Sequence, residues 1–237
     1  MNESNGGFIA SWQREQRYNV MMRVVSVNVG LPREVVWKGL RVSTAIFKQP
    51  VEGGITIRKL NLDGDRQADL TVHGGPDKAV YGYPVEHSEY WRAQLPEVPV
   101  LLGAFGENLT TQGVLEKDLC IGDQVRVGAA LLRVSQPRTP CYKLQVRFDR
   151  EDMTRLFAQS RRSGFYFSVI EEGEVRAGDA IEVVERDQHR VSVADVNGLY
   201  FDRTVDRELV NRALKVAALT AESRSMVRRR LGPGDSN

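Results

Sequence analysis

One of the chain's two cysteines lies in a stretch whose residue types favour an ionised thiol. In the sequence QPRTPCYKL, Cys141 follows Arg138 by three residues and precedes Lys143 by two. A thiol acts as a nucleophile or a metal ligand in its ionised form, which nearby cations stabilise. Pro137 and Pro140 restrict the backbone of this segment. We therefore expect a rigid loop that presents Cys141 for chemistry, with a buried and inert cysteine as the alternative.

A second stretch has the composition of an anion-binding turn. In VHGGPDKAVYGYP, Gly74 and Gly75 permit a tight turn whose backbone N–H groups can converge on an anion. His73 and Lys78 flank this turn and can supply a donor and a positive charge. An ordinary hairpin turn has the same composition, so this stretch alone leaves both interpretations open.

Two further polar stretches carry weaker signals. FGENLTTQG, which contains Gly106 and Asn108, is rich in donors and acceptors but is also typical of an ordinary loop. NLDGDRQAD, residues 61–69, is an acidic turn that lacks the spaced ligands and the terminal glutamate of a calcium loop. We interpret this second stretch as a solvated turn.

Several function classes are excluded by the sequence pattern. The three histidines and two cysteines show no Cys-x-x-Cys or His-x-x-x-His spacing, which argues against a zinc site. No Gly-x-Ser-x-Gly elbow and no Gly-Lys-Ser/Thr phosphate loop is present. A net charge of +2 gives no bulk field that would attract nucleic acid or an acidic membrane. No apolar run approaches the roughly 20 residues that a membrane-spanning helix needs.

The elements that must position the candidate residues are mostly short strands. The strand-like runs are VVSVNVG, LTVHG, KAVYGYP, DQVRV and ALLRVSQ, and most of them end at Gly, Pro, Asp or Asn. Two helical patterns interrupt them, EHSEYWRAQL at 86–95 and DREDMTRLFAQS at 149–160. Many short strands with few helices predict a mainly β fold, built as a closed or nearly closed β-barrel.

The pattern becomes helical in the last quarter of the chain. Three segments have helical character, Val193–Phe201, Asp206–Val216 and Thr220–Leu231, and Asp206 and Thr220 are suitable N-caps for the second and third. Helices this short are marginal alone, so they must pack on each other or on the barrel.

The composition allows a large β-rich domain with this helical appendage. Of the 237 residues, 41% are hydrophobic and 27% charged, which is typical of a globular protein that buries a real core. A chain with two cysteines is also better suited to a reducing compartment, and we expect it in the cytoplasm. We predict a disordered lead over 1–22, a β-barrel domain over 23–187, a three-helix appendage over 190–232 and a tail over 233–237.

Three stretches, taken together and in order, resemble one protein family. They are LNLDGDRQADLTVHGGPDKAVYGYPVEHSEYW, FGENLTTQG and IGDQVRVGAALLRVSQPRTPCYKL. They are similar to the MOSC domain, named after the C-terminal domain of molybdenum cofactor sulfurases, in its YiiM-like branch. The resemblance runs from about Ser43 to Glu185, and the segment 191–231 is similar to the three-helix appendage of that branch. Each motif is weak alone, but the three in this order and spacing are specific.

The resemblance implies a β-barrel that holds the molybdenum cofactor, a pterin whose dithiolene sulfurs bind the metal. The family's metal-ligating cysteine falls on Cys141, and a soft thiolate is a reasonable ligand for a sulfur-bound metal. Arg138 would keep this thiol ionised and would help to neutralise the anionic cofactor. The implied catalytic residues are thus Cys141 and Arg138. The implied cofactor-binding residues are His73, Gly74, Gly75, Lys78, Gly106, Asn108, Ser135 and Arg58.

The resemblance also implies an activity, the reduction of N-hydroxylated compounds, such as hydroxylamino analogues of nucleobases, to amines. The sequence has neither the clustered cysteines of an iron–sulfur centre nor the Gly-x-Gly-x-x-Gly fingerprint of a dinucleotide site. We therefore expect electrons to come from a separate flavin or iron–sulfur reductase. Two alternatives stay open: a sulfur transferase that uses a persulfide on Cys141, and a protein that carries the cofactor without turnover. A homodimer is possible, and we expect neither a nucleic-acid nor a membrane partner.

Overall fold

The computed structural model describes residues 21–69 and 74–231. Its strands are β1 (Arg23–Val29), β2 (Arg33–Trp37), β3 (Leu40–Thr44), β4 (Gln49–Pro50), β5 (Ile55–Ile57), β6 (Val80–Pro84), β7 (Leu109–Gln112), β8 (Gln124–Val127), β9 (Ala130–Pro137), β10 (Phe165–Glu171), β11 (Gly173–Val175) and β12 (Ile181–Glu185). Its α-helices are α1 (His87–Gln94), α2 (Lys143–Phe148), α3 (Met153–Ser160), α4 (Val193–Phe201), α5 (Arg207–Lys215) and α6 (Ala221–Arg228). Short 3₁₀ turns cover Pro76–Lys78 and Arg229–Leu231. The predicted tail, most of the predicted lead and most of the strand-like run LTVHG lie outside the described residues.

The centre of the fold is one mixed sheet of eight strands in the order β12-β8-β9-β10-β6-β7-β1-β4. The pair β6–β7 is parallel, and the other neighbours in this sheet are antiparallel. Two small two-stranded sheets, β11–β5 and β2–β3, accompany it. The prediction of a mainly β fold with few helices is confirmed.

The sheet is not a closed barrel, so the closed form of that prediction is wrong. Near the two ends of the sheet, Arg23 of β1 forms an isolated bridge with Ala180, and the N–H of Val24 donates to the carbonyl of Asp179 at 2.9 Å. The N–H of Ile181, the first residue of β12, also donates to the carbonyl of Met22 at 2.8 Å. In the described residues these contacts do not form a ladder between β1 and β12.

Strand β7 corrects a second prediction, because its residues belong to the polar stretch FGENLTTQG that was assigned to a loop. Leu109, Thr110 and Thr111 are buried, and β7 lies between β6 and β1. The hydroxyl of Thr110 donates to a carboxylate oxygen of Glu107 at 2.9 Å, so this polar group is satisfied inside the sheet. The polar composition of this stretch therefore does not prevent it from forming a buried strand.

Helices α1 and α3 agree with the two helical patterns read from the sequence, whereas α2 was not predicted. These helices enclose an aromatic cluster beside the sheet, which includes Trp91, Phe105 and Phe157. The indole N–H of Trp91 donates to the hydroxyl of Tyr83 at 2.6 Å, which satisfies a fully buried donor. Two other residues of this cluster, Ile46 and Tyr81, line the cleft of the candidate site.

The three C-terminal helices follow the predicted boundaries closely. As expected, the side chain of Asp206 accepts the N–H of Leu209, and that of Thr220 accepts the N–H of Ser223. The valines and alanines on their inner faces belong to the same hydrophobic core as the sheet. The appendage is therefore packed onto the β unit. No helix in the described ranges is long and apolar enough to cross a membrane.

Candidate functional site

One cleft beside the sheet brings together most of the residues singled out in the sequence. It encloses about 640 Å³ of space, part of it open to solvent. Five of its lining residues are lysine or arginine and one is aspartate, so the cleft favours an anionic ligand. The lining residues are Thr44, Ala45, Ile46, Lys48, Arg66, Gln67, Ala68, Asp69, Gly74, Lys78, Tyr81, Gly106, Asn108, Arg138, Cys141, Lys143 and Tyr166.

Cys141 lies at the end of a short loop between β9 and α2. Its carbonyl accepts the N–H of Leu144 at 3.0 Å, so the cysteine directly precedes the first helical turn. Cys141 is partly exposed and is not in a disulfide, whereas Cys120 is buried. Burial raises the pKa of the Cys120 thiol, which suits an inert cysteine. Of the two thiols, that of Cys141 faces the cleft.

Arg138 is a buried cation on the same wall, with 6% of its surface exposed. Its guanidinium donates to the carbonyl of Phe105 and lies 4.8 Å from the ring centroid of Tyr81 and 5.6 Å from that of Phe157. Burial lowers the pKa of Arg138, but interactions with Tyr81, Tyr166 and Cys141 outweigh it, so the pKa lies above its ordinary value. The guanidinium therefore keeps its charge beside the Cys141 thiol.

The His-Gly-Gly stretch contributes Gly74 and Lys78 to the cleft. A side chain at Gly74 would bring its Cβ within 3.1 Å of Cδ of Gln67, and φ there is +87°, which favours glycine. Lys78 ends the 3₁₀ turn that begins at Pro76, and its N–H donates to the carbonyl of Gly75 at 3.1 Å. The predicted turn is present, with Lys78 on its cleft side.

Gly106 and Asn108, two of the predicted cofactor-binding residues, also line the cleft. The side-chain amide of Asn108 donates to Asp65 at 2.9 Å, and its oxygen accepts the N–H of Tyr81 at 3.1 Å. Between them, the buried carboxyl of Glu107 accepts the N–H groups of Gly103 and Phe105 at 2.7 and 3.0 Å. Burial raises the pKa of Glu107, and the hydrogen bonds to its carboxyl group oppose this shift in part. Glu107 thus holds the loop that carries Gly106.

Three other predicted residues, Ser135, Arg58 and Gly75, do not line the cleft. Ser135 donates to the carbonyl of Asp77 at 2.5 Å, so it ties β9 to the 3₁₀ turn instead of facing the cleft. Arg58 does not reach the cleft, because its guanidinium pairs with Asp63 at 2.9 Å and with Glu172 at 3.4 Å on the surface. Gly75 belongs to the turn but not to the lining. His73 lies outside the described residues.

A buried ion pair in the cleft was missed by sequence reasoning. The ammonium of Lys48 pairs with Asp65, whose side chain is fully buried and which also accepts the N–H of Gly30 at 2.8 Å. Burial lowers the pKa of Lys48, and the pairing with Asp65 opposes this shift. Asp65 therefore corrects the interpretation of NLDGDRQAD as a solvated turn. Because 17 residues separate the partners, no local signal could have identified the pair.

Two tyrosines complete the wall around Arg138 and were also not singled out. The rings of Tyr81 and Tyr166 lie 4.9 Å apart, and the hydroxyl of Tyr81 donates to the carbonyl of Ser163 at 2.7 Å. Burial raises the pKa of both phenols. At neutral pH they are therefore proton-bearing groups beside the cationic and thiol side chains.

This arrangement suits a ligand that carries negative charge and a metal that already has other ligands. The described residues contain no group of three or more His, Cys, Asp or Glu side chains that could hold a metal ion. Thiolate suits soft metals, and the surrounding cations suit an anionic carrier of such a metal.

Two family models match the chain in succession. A MOSC domain model matches residues 69–182, and a model described as the YiiM-like 3-alpha helix domain matches residues 191–232. The first match contains Gly74, Lys78, Arg138 and Cys141.

Relatives of known sequence cover most of the chain. The uncharacterized protein YflK of Bacillus subtilis is 39% identical over 212 residues, which span 90% of this chain and 94% of that protein. Protein YiiM of Escherichia coli is 41% identical over 191 residues, spanning 79% and 85% of the two chains. A protein of Gibberella moniliformis named reductase is 35% identical over 175 residues, spanning 73% of this chain and 31% of that protein.

The crystal structure of YiiM from Geobacillus stearothermophilus has a similar fold. It superposes with a TM-score of 0.73 at 35% identity, over 89% of this chain and 99% of that one.

Proposed function

Because this chain belongs to the MOSC-domain family, and within it to the YiiM-like proteins, we propose that it is a molybdenum-cofactor-dependent reductase of N-hydroxylated compounds. The observation that carries the proposal is the cleft in which a partly exposed thiol, Cys141, lies with Arg138, Lys78 and Lys143. The name reductase of the Gibberella moniliformis relative supports the reaction class.

The residues of the cleft fit the cofactor by their chemistry. Cys141 would ligate the metal, since its thiol faces the cleft and soft metals prefer sulfur. Lys78 and the backbone at Gly74 would hold the phosphate of the pterin. Arg138, whose charge faces a neutral carbonyl and two aromatic rings, would balance the remaining negative charge. When bound, the cofactor supplies the two-electron redox chemistry.

The protein's own residues would bind the substrate and manage protons. Reduction of a hydroxylamino group to an amine breaks the N–O bond, consumes two electrons and two protons, and releases water. Tyr166 lines the cleft with a pKa that burial raises, so it holds a proton at neutral pH that it can share with a departing oxygen. The electrons would come from a separate flavin or iron–sulfur reductase, because the chain's two cysteines cannot build an iron–sulfur centre.

The test is the metal and pterin content of the protein made in a host that synthesises the cofactor. We expect stoichiometric molybdenum and pterin in the wild type, and loss of molybdenum in Cys141→Ser with retention in the matched variant Cys120→Ser. The loaded wild type should reduce a hydroxylamino nucleobase analogue when an artificial electron donor is supplied, and Cys141→Ser should not.

Other outcomes would replace the proposal. Metal-free protein that carries a persulfide on Cys141 would indicate a sulfur transferase. Loaded protein without turnover would indicate a carrier of the cofactor. Turnover by Cys141→Ser at the wild-type rate would refute the role of the cysteine.

A further inference from the structure

One ion pair connects the cleft to the C-terminal helices. The ammonium of Lys78 lies 2.6 Å from a carboxylate oxygen of Glu222, in the first turn of α6. The side chain of Lys78 is 18% exposed and that of Glu222 is 48% exposed. The C-terminal unit thus supplies the counter-ion of a cation that lines the cleft.

The fold holds Glu222 in this place through its neighbours. Thr220, the N-cap of α6, is buried and donates its hydroxyl to the side-chain oxygen of Gln136 at 2.7 Å. Gln136 lies on β9 opposite Tyr166 of β10, two residues before Arg138. The first turn of α6 is therefore attached to the strand that leads into the Cys141 loop.

The two lysine–carboxylate pairs of the cleft differ in how easily they separate. Asp65 is fully buried and accepts hydrogen bonds from the Gly30 N–H and the Asn108 amide besides its contact with Lys48. If Asp65 separated from Lys48, its buried carboxylate would lose its counter-ion, which is costly. The carboxylate of Glu222 is half-exposed and can turn into water. Lys78 is therefore the lysine of these two whose counter-ion a ligand can replace.

We propose that Glu222 sets the affinity of the cleft for an anionic ligand group by competing with that group for Lys78. This inference rests on the proposed function, in which the group is the phosphate monoester of the pterin. A phosphate that accepts a hydrogen bond from Lys78 approaches the Glu222 carboxylate, and the two anions repel. Glu222 selects against weakly charged anions, because the ligand must interact with Lys78 more strongly than the carboxylate does.

The experiment measures binding of inorganic phosphate to the full-length protein, prepared without cofactor, by titration calorimetry at low ionic strength. We expect Glu222→Gln to bind phosphate about two- to fivefold more tightly, as for loss of a partly exposed competing ion pair. Glu222→Asp, which keeps the charge, should bind like the wild type. Glu208→Gln removes the same charge from the first turn of α5 and should leave the affinity unchanged.

Lys78→Met separates the inference from the proposed function. In the Lys78→Met background, phosphate should bind more weakly, and Glu222→Gln should no longer change the affinity. If phosphate binds the wild type through Lys78 and Glu222→Gln binds it no more tightly, the competition is refuted while the proposed function stands. If phosphate fails to bind, or Lys78→Met binds as well as the wild type, the competition and the role of Lys78 in holding the pterin phosphate both fall. Equal thermal unfolding midpoints without phosphate exclude a merely structural effect of the substitutions.

Discussion

Replacing Arg138 by methionine tests whether its guanidinium keeps the Cys141 thiol ionised. Methionine keeps much of the aliphatic packing against Tyr81 and Phe157 and removes the charge. The interaction with Cys141 contributes to the raised pKa of Arg138, and a pairwise electrostatic interaction acts equally on both partners. The variant should therefore hold a smaller fraction of Cys141 as thiolate.

The size of the effect follows from two opposing terms. A neighbouring opposite charge shifts the pKa of a group by about one to three units, which changes its ionised fraction by about ten- to a thousandfold. Because Cys141 is partly exposed, we expect the lower part of this range, about ten- to hundredfold. The thiolate that remains is a stronger nucleophile, with a Brønsted slope of about 0.4–0.5 for disulfide exchange. A ten- to hundredfold loss of thiolate thus slows the reaction about three- to tenfold.

The assay is the rate of reaction with an uncharged dipyridyl disulfide at neutral pH, in a Cys120→Ala background that leaves Cys141 as the one thiol of the chain. Arg133→Met is the matched control, since Arg133 lies on β9 and does not line the cleft. At a pH well above the ordinary thiol pKa of about 8.5, the Arg138→Met variant should match or exceed the parent, because both thiols are then ionised. An unchanged neutral-pH rate, or a slowing that persists at high pH, would refute electrostatic activation by Arg138.

Three further predictions concern the groups that hold the cleft together. Asp65→Ala leaves Lys48 buried without its partner and should lower the free energy of unfolding, measured in urea, by about 3–5 kcal/mol. Thr220→Val removes an N-cap and the hydrogen bond to Gln136, and the same measurement should show a loss of about 1–2 kcal/mol. Burial raises the pKa of Glu107 above 4.5, so its stabilising contribution is present below that pH and is lost as the pH rises through the folded-state pKa. The stability of the wild type relative to Glu107→Gln should therefore fall as the pH is raised from acid to neutral.

Each of these predictions has a clear contrary result. Wild-type stability in Asp65→Ala would mean that Lys48 finds water or another partner. An unchanged unfolding free energy in Thr220→Val would mean that α6 is not held through Gln136. A wild type that gains stability relative to Glu107→Gln with rising pH would mean that the hydrogen bonds to the carboxylate outweigh its burial.

The parts of the site that sequence reasoning found are those encoded by contiguous residues. Cys141 and Arg138 share one loop, and Gly74 and Lys78 share one turn, so local composition indicated both before any tertiary contact was known. The caps of the C-terminal helices were found for the same reason, because a cap such as Asp206 bonds to a residue three positions away.

The parts that it missed depend on which strands are neighbours. Lys48 and Asp65 meet across 17 residues, and Tyr166 reaches the cleft because β10 pairs with both β6 and β9. Glu222 contacts Lys78 from α6, one of the three C-terminal helices. Arg58 was predicted to bind the cofactor and does not line the cleft. Its guanidinium instead pairs on the surface with Asp63, five residues away. Charge in a sequence does not reveal which partner neutralises it.

The distribution of partners around the cleft explains why Arg138, and not Lys48, is suited to a ligand. Burying a cation costs several kcal/mol unless other groups compensate for the lost water. Asp65 compensates Lys48 with a buried carboxylate, whereas Arg138 contacts the Phe105 carbonyl and the rings of Tyr81 and Phe157 and interacts with the Cys141 thiol. An anion that enters the cleft can pair with Arg138 without displacing a carboxylate, but it would have to displace Asp65 at Lys48. Binding of an anionic ligand should therefore add to the stability of the protein through Arg138.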